Sequence, residues 1–157
     1  AVPCATTLVK RNTLAQKDYE SMLASVISGR PPAGEPEKIF KVAYAMCSAA
    51  ALENGGEINA KVIRNYFWFG HDAVVDERFE AMRDFDPVNC KVCPGRVSKV
   101  LGSAAMVQTC AGLQECRTDF APDVKPGDYV AVHRGYVVEE IEERGFRDFA
   151  QRAGKQF

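Results

Sequence analysis

Cys90-Lys91-Val92-Cys93 sets two thiols two residues apart, the spacing of metal knuckles and of redox sites. A second pair, Cys110 and Cys116, has five residues between its members. A four-thiolate zinc site uses two knuckles with short internal spacing, so one knuckle fits and the other is loose. A thioredoxin-like redox site needs a βαβ setting, whereas this pair precedes strand-like segments. Cys47 reads as a small buried thiol on a helix face. His71 and His133 are the only histidines, too few for a His-rich metal centre, and each alone reads as a structural group. No G-x-S-x-G, G-x-x-x-x-G-K-[ST] or G-x-G-x-x-G run occurs, so neither a nucleophile elbow nor a nucleotide loop has support. Tyr66-Phe67-Trp68-Phe69 cannot turn every ring to one helix face. It is either a helix crowded on all sides or an aromatic patch for a partner protein, since Trp and Tyr are enriched at binding hot spots.

The elements that must position these groups fall into two regions. The spacing of Tyr19, Met22, Leu23, Val26 and Ile27 predicts a helix behind a Thr13/Gln16 capping box, stopped by Gly29 and Pro31-Pro32. A second helix is expected from Glu35-Pro36, lined by Ile39, Phe40, Ala43, Cys47 and Ala50 and ended at Asn54-Gly55-Gly56. A third runs from Asn59 through Val62, Ile63, Tyr66 and Phe67 until Gly70 interrupts it. A fourth follows Asp72, with Val75, Phe79 and Met82 inward and Asp86-Pro87 as its limit. Beyond it the pattern changes. Residues 96–100, 105–109 and 129–133 are short and Val-rich, bounded by Pro94-Gly95, Gly102-Ser103, Gly112 and Pro126-Gly127. Such punctuation predicts a small barrel. A terminal helix is expected after Val138, with Ile141, Gly145 and Phe149 on one face.

Composition narrows the function. The 157 residues are 46% apolar and 26% charged, enough to bury a core. Residues 1–85 carry 10 basic and 11 acidic groups, and residues 86–157 carry 10 of each. Neither half has the positive surplus that phosphate-backbone binding needs, so no nucleic-acid partner is expected. No apolar run is long enough to span a bilayer. The opening Ala-Val-Pro-Cys-Ala-Thr-Thr-Leu-Val lacks a basic stretch before an apolar core, so no export signal is expected. Six cysteines are far below a disulfide-scaffold composition, and reduced thiols in the cytoplasm are expected.

Two segments together resemble the HypC/HupF hydrogenase-assembly chaperone family. Its opening M-C-[LI]-[GA]-[IV]-P-G-[KR]-[VI] compares with Asn89-Cys90-Lys91-Val92-Cys93-Pro94-Gly95-Arg96-Val97. Its later V-x-x-G-D-Y-V-L-V-H-x-G-[FY] compares with Val124 to Tyr136, where Gly127-Asp128-Tyr129-Val130-Ala131-Val132-His133-Arg134-Gly135 is the specific part. The resemblance covers roughly residues 89–150. It implies an OB-like β-barrel with a C-terminal helix. It also implies a non-enzymatic role: members carry an Fe(CN)2CO unit, with the partner HypD, to the large subunit of a nickel–iron hydrogenase. Cys90 aligns with the iron-bearing cysteine and His133 with the strand histidine sometimes implicated beside it. Low-spin iron with cyanide and CO favours a soft thiolate, which must be reachable and of lowered pKa to exchange iron. Lys91 and Arg96 are the basic neighbours that could lower it. Three features depart from the family: about 89 residues precede Cys90, Cys93 replaces an aliphatic residue, and Arg134 replaces a small or apolar one.

The resulting expectation is an α+β chain: a helical region, residues 1–87, packed on a HypC-like barrel with terminal helix, residues 88–157. Function is expected to be hydrogenase maturation, with Cys90 and His133, less strongly Cys93, as iron ligands. Tyr66, Phe67 and Trp68 are expected to meet a partner such as the hydrogenase large subunit or a HypD-like protein. The alternative is a structural module or permanent subunit that uses the barrel as a scaffold, with zinc or no metal.

Overall fold

The computed structural model describes residues 2–32, 34–53, 55–79 and 87–154. It divides into two compact units, Ala1–Phe85 and Asp86–Phe157.

The first unit is helical. A 3-10 turn at Val2–Cys4 leads into α1 (Ala5–Lys10), which the sequence pattern does not announce. α2 (Gln16–Ile27) follows. Val2, Ala5, Tyr19 and Met22 form a buried cluster flanked by Leu14, Leu23, Val26, Ile39 and Phe40. The expected capping box is absent. Ala15 is the N-cap, the Thr13 hydroxyl donates to Leu8 O at 3.0 Å, and the Gln16 amide donates to Glu20 at 2.7 Å. Proline opens the one-turn α3 (Pro36–Ile39), and α4 (Lys41–Glu53) continues. Cys47 and Ala51 of α4 pack on Val62 of α5 (Ala60–Asn65). The Asn59 side chain caps α5 by accepting from Val62 N at 3.1 Å.

Gly70 does not stop this helix. The backbone passes through one π turn, Tyr66–Gly70, into α6 (His71–Phe79). A π turn holds more residues than an α turn, so it rotates every later residue about the axis. That rotation resolves the crowding of four consecutive aromatics: Trp68 and His71 are buried, while Tyr66, Phe67 and Phe69 are half-buried. The inward side chains expected at Phe79 and Met82, and the Asp86 half of the expected boundary, lie outside the described residues.

The second unit is a closed barrel. After the one-turn α7 (Pro87–Cys90) come β1 (Cys93–Leu101), β2 (Ala104–Thr109), β3 (Gly112–Arg117), β4 (Tyr129–His133) and β5 (Tyr136–Ile141). They close in the order β1-β2-β3-β5-β4, and α8 (Glu143–Arg152) follows. The fold is therefore α+β, with N-terminal helices, a five-stranded barrel and a C-terminal helix. Alternate residues point inward and fill it: Val97, Ala105, Val107, Cys116, Val130, Val132 and Val137, with Val124 from the β3–β4 connection. Residues 139–141, expected to begin the terminal helix, instead belong to β5. α8 buries Phe146 and Phe149, and Phe146 stacks 4.5 Å from the Tyr129 ring.

Candidate metal centre

The two motifs converge through strand register. β1 and β4 are antiparallel, with Cys93 opposite Val132 and Gly95 opposite Val130. Cys90 ends α7 just before β1, and His133 ends β4 just after Val132. Pairing the strands therefore brings together groups 43 positions apart, and Cys90 Sγ and a ring nitrogen of His133 lie within 4.8 Å of each other.

The rest of each motif holds this register. Gly95 stands where no side chain fits, since a Cβ there would lie 2.5 Å from Val107 Cγ1 and 3.1 Å from Gln108 O. The Pro126-Gly127-Asp128 turn latches onto β1: Gly127 N donates to Val97 O at 2.8 Å and Val97 N to Asp128 O at 2.9 Å. The Asp128 carboxylate accepts from Lys125 N at 2.6 Å. Beyond His133 the chain reverses through Arg134 (φ 50°) and Gly135 (φ 73°), the two left-handed positions of a tight β-hairpin. Arg134 is thus a backbone-strained residue of the hairpin that carries the imidazole.

Burial differs from expectation. The carrier chemistry calls for a solvent-reachable sulfur, but Cys90 is 4% exposed and His133 fully buried. Arg96, expected to assist the Cys90 thiol, is exposed and engaged elsewhere. Its Nε donates to Gly127 O at 3.3 Å, and its guanidinium sits over the Tyr129 ring at 5.7 Å. The loose second knuckle also comes apart. Cys116 lies in the barrel core, where burial, with Glu115 adding, pushes its thiol up to about 11. Cys93 Sγ instead lies 3.8 Å from Cys110 Sγ. Among the described residues the four thiols of the two pairs do not converge, and none of the six cysteines is in a disulfide.

The helical unit holds a second thiol–imidazole pair, which no short motif signals because its members are 67 positions apart. Cys4 Sγ lies 3.6 Å from His71 Nε2. His71 Nδ1 faces the Asp72 carboxylate at 3.5 Å, and the Phe67 ring packs 5.8 Å from the imidazole. Trp68, expected at a partner surface, is 8% exposed, with Arg64 over its ring at 5.7 Å. The exposed large apolar side chains of this unit include Tyr44 and Leu52 on α4 and Ile63 on α5.

A thiolate and an imidazole in one buried pocket form a donor set for zinc, iron or copper. An ion bonded to sulfur at about 2.3 Å and nitrogen at about 2.0 Å, at the tetrahedral angle, sets these donors about 3.6 Å apart. The Cys90–His133 pair needs to close by at most about 1.2 Å from its 4.8 Å bound to meet that geometry. The residues present therefore fit a soft or borderline transition metal.

Residues 90–151 match the HupF/HypC family. The matched segment begins at Cys90 itself and runs through all five strands into α8. No curated protein matches the chain. Among the described residues no helix is long and apolar enough to cross a membrane.

Proposed function

We propose that this chain is a non-enzymatic accessory protein of nickel–iron hydrogenase maturation, acting in the cytoplasm. Its HupF/HypC segment holds the Fe(CN)2CO unit, as cargo, on Cys90 with His133 beside it. One observation carries this reading: strand pairing brings the segment's cysteine and strand histidine within 4.8 Å of each other. Thiolate suits low-spin iron that already bears cyanide and CO. A cysteine that is 4% exposed cannot exchange iron without local opening.

In this reading the helical unit offers the partner surface to a hydrogenase large subunit or HypD-like protein. Tyr66 and Phe67 are half-buried there, and Tyr44, Leu52 and Ile63 are exposed. Trp68 then supports that surface from within.

Burial of Cys90 and His133 favours one second reading: a permanent subunit in which the pair retains its metal, zinc included. The test is to replace Cys90 by alanine and follow hydrogenase maturation in cells together with proteins and iron that co-purify with the chain. The carrier reading expects maturation and iron to be lost while the fold persists. Unchanged maturation and unchanged iron would overturn it.

A further inference from the structure

Cys4, His71 and Asp72 lie outside the HupF/HypC segment, and nothing in that resemblance assigns them a role. We infer that Cys4 and His71 are ligands, contributed by the helical unit, to a zinc- or iron-type transition-metal ion.

Three observations support this. The first is separation. Cys4 Sγ and His71 Nε2 are 3.6 Å apart, which matches the roughly 3.6 Å between a thiolate and an imidazole sharing a tetrahedral ion at ordinary bond lengths. The second is orientation. A metal-binding imidazole commonly directs its other nitrogen to a carboxylate, which fixes the tautomer and raises the basicity of the ligating nitrogen. His71 Nδ1 faces Asp72 Oδ1 at 3.5 Å. A proton held on Nδ1 leaves the Nε2 lone pair toward Cys4. The third is rigidity and dryness. His71 is 9% exposed, it is the first residue of α6 after the π turn, and the rings of Tyr66 and Phe67 lie 6.4 and 5.8 Å from it. π turns inside helices frequently mark functional positions. Without the extra residue of that turn, His71 would leave this face of the helix. Such a ring is held in place before any ion arrives, which lowers the entropy cost of binding.

The inference and the carrier reading are tested side by side in one experiment. The full-length chain, kept reduced and free of oxygen, is titrated with Co(II), whose sulfur-to-cobalt absorption reports thiolate ligation. Cys4→Ser and His71→Gln should each weaken Co(II) binding at least tenfold, and Cys4→Ser should also reduce the sulfur-to-cobalt absorption. Asp72→Asn should weaken it about tenfold, the low end for loss of an orienting partner. Circular dichroism of the metal-free variants checks the fold. Should His71→Gln fail to fold, Cys4→Ser alone decides, because serine is nearly the size of cysteine. If Cys4→Ser and His71→Gln bind Co(II) like the wild type while Cys90→Ser does not, the inference falls and the Cys90 reading stands. If Cys4→Ser loses the signal and Cys90→Ser keeps it, the inference holds and the Cys90 reading falls. Unchanged binding in every variant overturns both.

Discussion

Replacing Gly95 by alanine adds one methyl group at the tightest point of the barrel. The new Cβ would stand 2.5 Å from Val107 Cγ1, 3.1 Å from Gln108 O and 3.2 Å from Thr109 Cγ2. Val107 is fully buried and cannot swing into solvent, and a strand carbonyl cannot rotate away without breaking the ladder. Overpacking of this kind costs about 1–3 kcal/mol. Alanine recovers about 0.5–1 kcal/mol of the backbone entropy that glycine loses in a strand. A net loss of about 1–2 kcal/mol is expected, equivalent to a fall in Tm of about 5–15 °C for a unit of this size.

Urea unfolding, followed through the amide signals of β1 and β2 so that the barrel alone is read, measures this loss. Val107→Ala separately removes Cγ1 at a cost of about 1.5–3 kcal/mol for lost burial and the cavity left behind. In the double variant the methyl group added at position 95 occupies part of that cavity. The two costs should therefore fall short of their sum by at least about 0.5 kcal/mol, as neighbours in contact do. A Gly95→Ala barrel as stable as wild type, or strict additivity with Val107→Ala, would refute the claim that glycine is required here by close strand approach.

Two further outcomes follow from the cysteines. The Cys116 thiol is pushed from 9.0 up to about 11 in the folded chain, so between these pH values the unfolded chain releases a proton that the folded one keeps. Stability is unaffected by this group below pH 9 and falls above it, by about 2 kcal/mol at pH 11. The wild-type and Cys116→Ala stability curves should therefore converge by that amount in alkali, and curves that stay parallel would contradict the burial argument. Cys93 and Cys110, 3.8 Å apart with Cys110 exposed, are the pair that oxidised glutathione should join. Cys110 attacks and releases one glutathione, Cys93 then displaces the second, and the chain becomes about 2 Da lighter with sulfurs bonded at about 2.0 Å. Peptide mass mapping checks this, and a lasting glutathione adduct on Cys110 without the cross-link would contradict it.

Much of the fold is written in local pattern. Val-rich runs between glycine and proline turns mark β1, β2 and β4, because each strand's alternation and its stop signals lie within a few residues. β3 and β5 are less legible. Gly112–Arg117 is mostly polar, and Tyr136–Ile141 carries the acidic residues Glu139 and Glu140 that read as a helix face. Both are held by hairpin pairing with the strand before them, β3 on β2 and β5 on β4, so the partner's register rather than their own composition makes them strands. The π turn is illegible for a related reason. Gly70 looks like a stop, yet it continues the helix where a Cβ would crowd the Tyr66 ring at 3.1 Å.

The site is half legible. Cys90 and His133 stand in spaced motifs whose neighbours, Gly95, Gly127 and Asp128, hold the β1–β4 register. Cys4 and His71 carry no such spacing and meet only through the folding of the helical unit. The burial of Cys90 and His133 is not legible, because short motifs say which atoms can bind metal but not what covers them.

The central claim is that Cys90 and His133 hold iron bearing cyanide and CO. Infrared spectra of the native chain, isolated without oxygen from cells making nickel–iron hydrogenase, test it most directly. Cyanide and CO stretching bands together with bound iron are expected in the wild type. Both should vanish in Cys90→Ala and weaken in His133→Ala. Wild-type protein without these bands, or bands that persist unchanged in Cys90→Ala, would contradict the account.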